Sequence, residues 1–176
     1  VVVIGFGIVI GIRNGLIDRD ELVKSNWSQI DTQLQRRLDL IPNLVNTVKG
    51  YAKHETQIFT EVAEARSRLL GAVGPAAKAE AGAALEGALG RLLAISENYP
   101  DLKANENFIR LQDELAGTEN RISVARVRYN DSVRDFNAAI RKFPGSFFAP
   151  GLGLTQAQYF EPPEGAASVV KPPKVE

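Results

Sequence analysis

The residues of this chain that could carry out catalysis or hold a metal ion are few and badly spaced for either task. Histidine occurs once, at His54, and cysteine is absent, which excludes thiolate chemistry and zinc sites built from several His or Cys ligands. His54-Glu55 matches the first two positions of the metalloprotease motif HExxH, but Ile58 stands where the second histidine is required. A Glu-based dinuclear site would need Glu-x-x-His pairs on two helices. We therefore predict no catalytic residue, no metal site and no cofactor, and expect that the chain is not an enzyme.

The charges of the chain are balanced, with 21 Lys and Arg against 21 Asp and Glu. Nucleic-acid binding depends on an excess of positive charge that can displace counterions from the phosphates. This composition therefore argues against a nucleic-acid partner.

The first twelve residues, VVVIGFGIVIGI, carry no charge before Arg13. Twelve helical residues extend about 18 Å, which is less than the roughly 30 Å of a bilayer core. We interpret residues 1–17 as the C-terminal part of a membrane helix and, because the sequence does not begin with Met, expect further apolar residues upstream. A buried strand or the apolar region of a signal peptide are the alternatives. Gly7 and Gly11 have the GxxxG spacing that lets two membrane helices approach closely.

Apolar residues recur at alternating spacings of four and three from Val23 to Leu69. This spacing forms a heptad seam, which is typical of long helices that pack side by side. Pro42 removes one backbone hydrogen bond, to the carbonyl of Leu38, and should kink the helix. Because the seam keeps its phase across Pro42, we favour one kinked helix over two separate helices.

Two more helices are predicted after a stop and restart at Gly71-Ala-Val-Gly-Pro75. The second ends at Pro100, and Asp101 is a plausible N-cap for the third, whose apolar seam extends from Ala104 to Phe143. The sequence thus predicts an all-α fold, in which residues 18–143 form a long antiparallel bundle of three to four helices with coiled-coil-like seams.

The middle helix is about half as long as the two helices that it must cover, so part of their apolar seams would stay bare in a three-helix hairpin. Exposed apolar stripes of this length usually acquire a partner. The lengths therefore predict either self-association or a reversal of the chain at Pro42 that supplies a fourth helix.

Polar side chains accompany both long seams, among them Arg36 and Asn43 on the first helix and Arg126, Asn130 and Asn137 on the last. Amide and guanidinium groups beside a seam can form interhelical hydrogen bonds that fix the register and the choice of partner. A solvated helix face is the alternative.

Three charged residues, Arg37, Glu55 and Arg66, lie at or near seam positions. An unpaired charge there would be buried at a cost of several kcal/mol. We predict that all three are paired across helices, with Glu119 or Glu114 as partners for the arginines.

Residues 144–176 form a Pro- and Gly-rich segment that we predict to be an extended arm and tail without helix. Its aromatic residues include Phe147, Phe148, Tyr159 and Phe160, which are too apolar for a solvent linker. We expect the arm to dock on a helix or on a neighbouring subunit; a flexible tail that shields the end of the bundle is the alternative.

Three stretches resemble the LemA family: NWSQIDTQLQRRLDLIPNLVNTVKGYAKHE at 26–55, EARSRL at 64–69, and FIRLQDELAGTENRISVARVRYNDSVRDFNAAIRKFP at 108–144. The resemblance extends roughly from Leu16 to Phe160. It implies an N-terminal membrane helix, a soluble helical-bundle body and a single-pass location in a bacterial cell membrane, with the bulk of the chain on the cytoplasmic side. It implies no established biochemical activity.

We therefore predict a membrane-anchored, non-enzymatic structural protein that self-associates through its helical seams, such as an envelope scaffold. A binding or sensing module for another membrane or envelope protein is the alternative. The predicted partners are the lipid bilayer, further copies of the chain and other membrane proteins. The residues selected as interface candidates are Gly7, Gly11, Arg36, Arg37, Asn43, Glu55, Arg126, Asn130, Phe147, Phe148, Tyr159 and Phe160.

Overall fold

The structure is a computed structural model that describes residues 2–162, and every regular element in this part of the chain is helical. The prediction of an all-α fold is therefore confirmed for the described residues. Two short 3₁₀ turns, at Ser96–Asn98 and Pro150–Leu152, accompany the helices. The six α-helices of the described part are α1 (Val2–Tyr51), α2 (Thr56–Gly71), α3 (Pro75–Ile95), α4 (Pro100–Lys103), α5 (Glu106–Arg141) and α6 (Gly145–Phe148).

Helix α1 continues through Pro42, which confirms a single helix at this point. The chain turns instead after Tyr51, where the N–H of Glu55 donates to the carbonyl of Ala52 at 3.2 Å before α2 begins at Thr56. The prediction of one helix from Val23 to Leu69 is therefore wrong beyond Tyr51. The reversal lets the apolar face of α2 pack on α3. It supplies the fourth helix that the unequal helix lengths require, though not at Pro42.

The described residues divide into two compact units. The first unit contains residues 2–33 together with Arg121–Tyr159. Its parts of α1 and α5 are antiparallel, since Asn26 Nδ2 donates to the carbonyl of Arg128 at 3.4 Å, and Leu16 lies beside Gly145. The buried residues of this unit include Leu16, Val23, Ile30, Ile122, Tyr129, Val133, Phe136 and Ile140.

The second unit contains Leu34–Asn120 and, among the described residues after the arm, residues 160–162. Here too α1 is antiparallel to α5. Thr47 of α1 pairs with Asn107 near the start of α5, whereas Arg37, which lies earlier on α1, pairs with Glu119, which lies later on α5. Helices α2 and α3 complete a four-helix core. Its buried residues include Leu38, Ile41, Leu44, Val48, Val62, Leu69, Leu85, Leu92, Phe108, Leu111 and Leu115.

The start of the third long helix differs from the prediction. Asn105 is the N-cap of α5, since its Oδ1 accepts from the N–H of Phe108 at 3.0 Å. Asp101 lies instead inside the short helix α4, and the expected seam residues Ala104 and Phe143 are exposed. Helix α4, in which Leu102 is fully buried, thus lies between α3 and α5.

The predicted arm begins with helix α6 and a 3₁₀ turn, so the expectation of no helix after residue 144 is wrong for these residues. Gly145 permits the turn, because a β-carbon there would collide with the carbonyl oxygen of Ala139. Gly153, at φ 68°, ends the 3₁₀ turn, and an extended segment follows. The predicted tail beyond residue 162 lies outside the described residues.

Within the part of the chain that the structure describes, no helix combines the length and the apolar character needed to cross a membrane.

Candidate functional site

Arg37 is a buried cation in the second unit, and two partly exposed glutamates lie beside it. Its side chain, on α1, forms an ion pair with Glu119 of α5 and approaches Glu86 Oε1 of α3 at 3.7 Å. The residue is only 8% exposed, and its Nε has no hydrogen-bond partner among the described residues. The predicted pairing of Arg37 with Glu119 is confirmed. Because the cluster connects three helices, it can fix their register. Both carboxylates are already directed at the guanidinium, so we assign it no ligand.

Arg66 has a different partner from the one predicted. Its Nε donates to the carbonyl oxygen of Leu38 at 3.2 Å, and this is the carbonyl that Pro42, four residues later, cannot bond. The alternative carboxylate, Glu114, pairs with Arg110 at 2.9 Å. The prediction of an ion pair for Arg66 is therefore wrong, because an unsatisfied carbonyl lies within reach of its guanidinium.

Glu55, the third charged seam residue, is half-buried at the N-cap of α2. Its side chain forms neither a capping hydrogen bond nor an ion pair with any of the described residues. The predicted pairing across helices is not found. Because Glu55 is only half-buried, its carboxylate does not require a buried partner.

The polar residues beside the seams differ in their environments. Asn26 and Thr47 each form a hydrogen bond between α1 and α5: Asn26 Nδ2 donates to the carbonyl of Arg128, and Thr47 Oγ1 accepts from Asn107 Nδ2. Arg36 and Asn43 are exposed, as a solvated helix face would be. On α5 the candidates Arg126 and Asn130 are half-buried.

The extended arm docks on α5 in the first unit, in agreement with the expectation that it packs on a helix. Asn137 Nδ2 donates to the carbonyl of Ala157 at 3.0 Å, and its Oδ1 accepts from the N–H of the same residue at 2.8 Å. The Tyr129 hydroxyl donates to the carbonyl of Gln158 at 2.7 Å. An asparagine beside a seam was the only sequence signal for this contact, and nothing in the sequence indicated the role of Tyr129.

Tyr129 is buried between the arm and α1. Its ring lies 5.4 Å from that of Trp27, at an interplanar angle of 54°. Burial raises the pKa of Tyr129 from 10.0 to about 12, because the phenolate would lose solvation. The phenol thus stays protonated over the physiological range and donates its hydrogen bond to the arm.

The beginning of α1 presents apolar side chains that the described chain does not cover. Ile8, Val9 and Ile10 are 59%, 41% and 42% exposed. A β-carbon placed on Gly7 or Gly11 would meet no atom within 4 Å, so the GxxxG face is also open. From Leu16 onward the same helix has buried apolar side chains, among them Leu16, Val23 and Ile30.

The aromatic candidates of the arm have different environments. Phe147 is exposed and meets the half-buried Phe148 edge to face, with ring centroids 5.2 Å apart at 86°. Tyr159 is partly exposed, whereas Phe160 is buried in the second unit. Burial of Phe160 does not fit its selection as an interface residue.

No group of three or more His, Asp or Glu residues in the described part of the chain is arranged to hold a metal ion.

These features define an all-α protein with two packed helical units, a docked arm and an uncovered apolar start of its first helix. The profile of the LemA family matches residues 26–176, and the chain belongs to that family. The resemblance inferred from the sequence is therefore confirmed.

Three relatives illustrate the range of similarity. Magnetosome protein MamQ of Magnetospirillum gryphiswaldense is 29% identical over 186 residues, covering 90% of this chain and 68% of the relative. Magnetosome protein MamQ 2 of Paramagnetospirillum magneticum is 28% identical over 187 residues, with the same coverage. Protein LemA of Metamycoplasma hominis is 24% identical over 158 residues, covering 89% and 72%.

Proposed function

We propose that this chain is a non-enzymatic structural protein attached to a membrane by the apolar start of α1. The observation that carries the proposal is the exposure of Ile8, Val9 and Ile10 on a helix whose later residues are buried in the bundle. Removing apolar surface from water is favourable by about 25 cal/mol per Å². An uncovered apolar helix end therefore needs a partner, and a bilayer provides one.

Membership of the LemA family supports a bacterial membrane location. The family resemblance also favours a single-pass topology with the bulk of the chain on the cytoplasmic side. The chain is also similar to two magnetosome proteins, MamQ and MamQ 2. Neither of these proteins is named after an enzymatic reaction, which supports a structural role.

Self-association, which we retain in this proposal, needs a surface other than the helical seams. Seam residues such as Ile30 and Leu44 are fully buried inside one chain and are not available to a second copy. The open face at Gly7 and Gly11 can instead bring two α1 helices together in the bilayer, where small residues allow close packing.

Flotation with lipid vesicles tests the attachment. The full chain should float with phosphatidylcholine vesicles, and an Ile8→Lys/Ile10→Lys variant should lose this property. Leu22→Lys is the matched control, since Leu22 is similarly exposed on α1 but lies outside the apolar segment. Equal flotation of all three proteins would refute attachment through α1.

Light scattering in detergent tests self-association. The wild-type chain should have a discrete mass above that of a monomer, and Gly7→Leu/Gly11→Leu should reduce it. Gly90→Leu is the control, since Gly90 is equally open but lies on α3. A monomeric wild type would exclude the scaffold role.

A binding module for another envelope protein is the second candidate. Val124 and Val127, on one face of α5, are 54% and 60% exposed, a pair of apolar residues that a partner helix could cover. This candidate predicts a monomer in detergent, whereas the scaffold predicts an assembly.

A further inference from the structure

The chain forms a tight corner in the first unit, where α5 ends at Arg141 and α6 begins at Gly145. Gly145 packs against the backbone of Ala139, and a β-carbon there would also lie 3.3 Å from Leu16 Cδ2 of α1. The corner is therefore held beside the part of α1 that follows its exposed apolar segment.

This corner points two large aromatic side chains away from the protein. Phe143 is 86% exposed and Phe147 is 75% exposed, although both are of a residue type that usually packs in a core. The neighbouring Arg141 and Lys142 are exposed as well. We define Arg141, Lys142, Phe143 and Phe147 as the aromatic corner.

The aromatic corner is continuous with the apolar start of α1. An open groove of about 270 Å³ is lined by Gly11 and Ile12 from α1 and by Phe143 from the corner. The two charged residues that line it, Arg19 and Lys142, are both basic. Apolar rings beside basic side chains are the composition that suits the boundary between acyl chains and anionic headgroups.

We infer that the aromatic corner is a second membrane contact, in which Phe143 and Phe147 enter the lipid interface and Arg141 and Lys142 bind anionic headgroups. This inference rests on the proposed attachment of α1. A helix that leaves the bilayer after Ile12 brings its next turns to headgroup level, and the corner lies beside those turns. The lipid surface fits better than a protein groove because its negative charge complements the basic side chains of the corner and the groove.

A site-specific fluorescent label tests the contact in the full chain. The chain contains no Cys, so Ser146→Cys provides a single labelling site between the two aromatic residues, both of which remain. The label is an environment-sensitive nitrobenzoxadiazole, and the vesicles contain phosphatidylcholine and phosphatidylglycerol. We expect a blue shift at residue 146 and quenching by lipids that carry a nitroxide near the headgroup. Val73→Cys is the control, because Val73 is 89% exposed but lies in the loop after α2.

Two variants separate the parts of the contact. Phe143→Ser/Phe147→Ser should abolish quenching at residue 146 while flotation, which depends on α1, is unchanged. Both residues are exposed, so the helical circular dichroism should also be unchanged. Arg141→Gln/Lys142→Gln should remove the dependence of quenching on phosphatidylglycerol.

The outcomes distinguish this inference from the proposed function. A chain that floats with vesicles but shows no quenching at residue 146 overturns the second contact and leaves the attachment of α1 intact. Equal quenching at residues 73 and 146 also overturns it, since the contact would not be local. A chain that does not float overturns both.

Discussion

Arg66 of α2 donates a hydrogen bond from Nε to the carbonyl oxygen of Leu38 on α1, over 3.2 Å. Pro42 has no N–H, so it leaves this carbonyl without its usual donor. A side chain from the neighbouring helix thus replaces a missing backbone donor. The replacement explains how α1 can continue through a proline and why Arg66 is not engaged with a carboxylate.

Because Arg66 replaces the hydrogen-bond donor that Pro42 lacks, substitutions at positions 42 and 66 should have non-additive effects on the free energy of unfolding. Arg66→Met should lower the free energy of unfolding by about 1–3 kcal/mol, because it leaves a part-buried carbonyl unsatisfied. In a Pro42→Ala background the same Arg66→Met substitution should lower the free energy of unfolding by less, since alanine restores the backbone N–H that proline lacks. Urea unfolding of the four proteins in detergent, followed by circular dichroism, measures the coupling. An equal cost in both backgrounds would show that Arg66 acts independently of Pro42.

The two glutamates beside Arg37 should contribute unequally to stability. Glu119 forms the close ion pair, whereas Glu86 Oε1 is 3.7 Å away on a more exposed side chain. We expect Glu119→Gln to destabilise the protein by about 1–2 kcal/mol and Glu86→Gln by less than about 1 kcal/mol, since the longer contact to Arg37 is the weaker of the two. Chemical denaturation compares them, with exposed Glu64→Gln as a control. A larger effect at Glu86 would assign the main pairing to α3.

The double hydrogen bond between Asn137 and Ala157 should hold the arm. Asn137→Asp keeps the acceptor for the N–H of Ala157 but places a negative charge against its carbonyl, whereas Asn137→Ala removes both bonds. Each variant should increase hydrogen exchange at residues 154–160 and cost about 1–3 kcal/mol. Hydrogen exchange measured by mass spectrometry reports this change. If exchange rises equally along all of α5, the bond stabilises the helix rather than the arm.

Tyr129 should give the protein a stability loss at high pH. Burial raises the pKa of Tyr129 to about 12, above the 10.0 of an unfolded tyrosine, so the folded state binds the phenolic proton more tightly. Its contribution is complete below pH 10 and is lost as the pH rises through about 12. Other groups titrate there too, so the measurement is the difference in unfolding free energy between wild type and Tyr129→Phe as a function of pH. If the difference in unfolding free energy between the two proteins stays constant from below pH 10 up to about pH 12, burial of Tyr129 does not make stability depend on pH.

The heptad spacing predicted the main helices because apolar burial dominates their packing. Thr118 and Ser132, which fill seam positions, are buried as the pattern required, and each hydroxyl donates to a carbonyl of its own helix at 2.7 Å. The pairing of Arg37 with Glu119 followed from the cost of burying a lone charge.

The reversal at 52–55 was not predictable in the same way. The apolar spacing keeps its phase from Val48 to Ile58, and no proline interrupts it, so the local pattern is that of one helix. The turn is favoured by tertiary packing of α2 on α3, which a one-dimensional pattern does not contain. Asn105 was missed for a similar reason, since Asp101 is an equally good capping residue by type.

The charge cluster of Arg37 also limits the order in which its three residues can be replaced during evolution. A neutral substitution at Glu86 or Glu119 leaves one carboxylate beside the guanidinium, and the remaining pair still offsets its charge. Loss of Arg37 first would leave two acidic side chains directed at one site without a cation. A lineage that converts this cluster into an apolar core is therefore expected to lose one glutamate, then the arginine, and the second glutamate last.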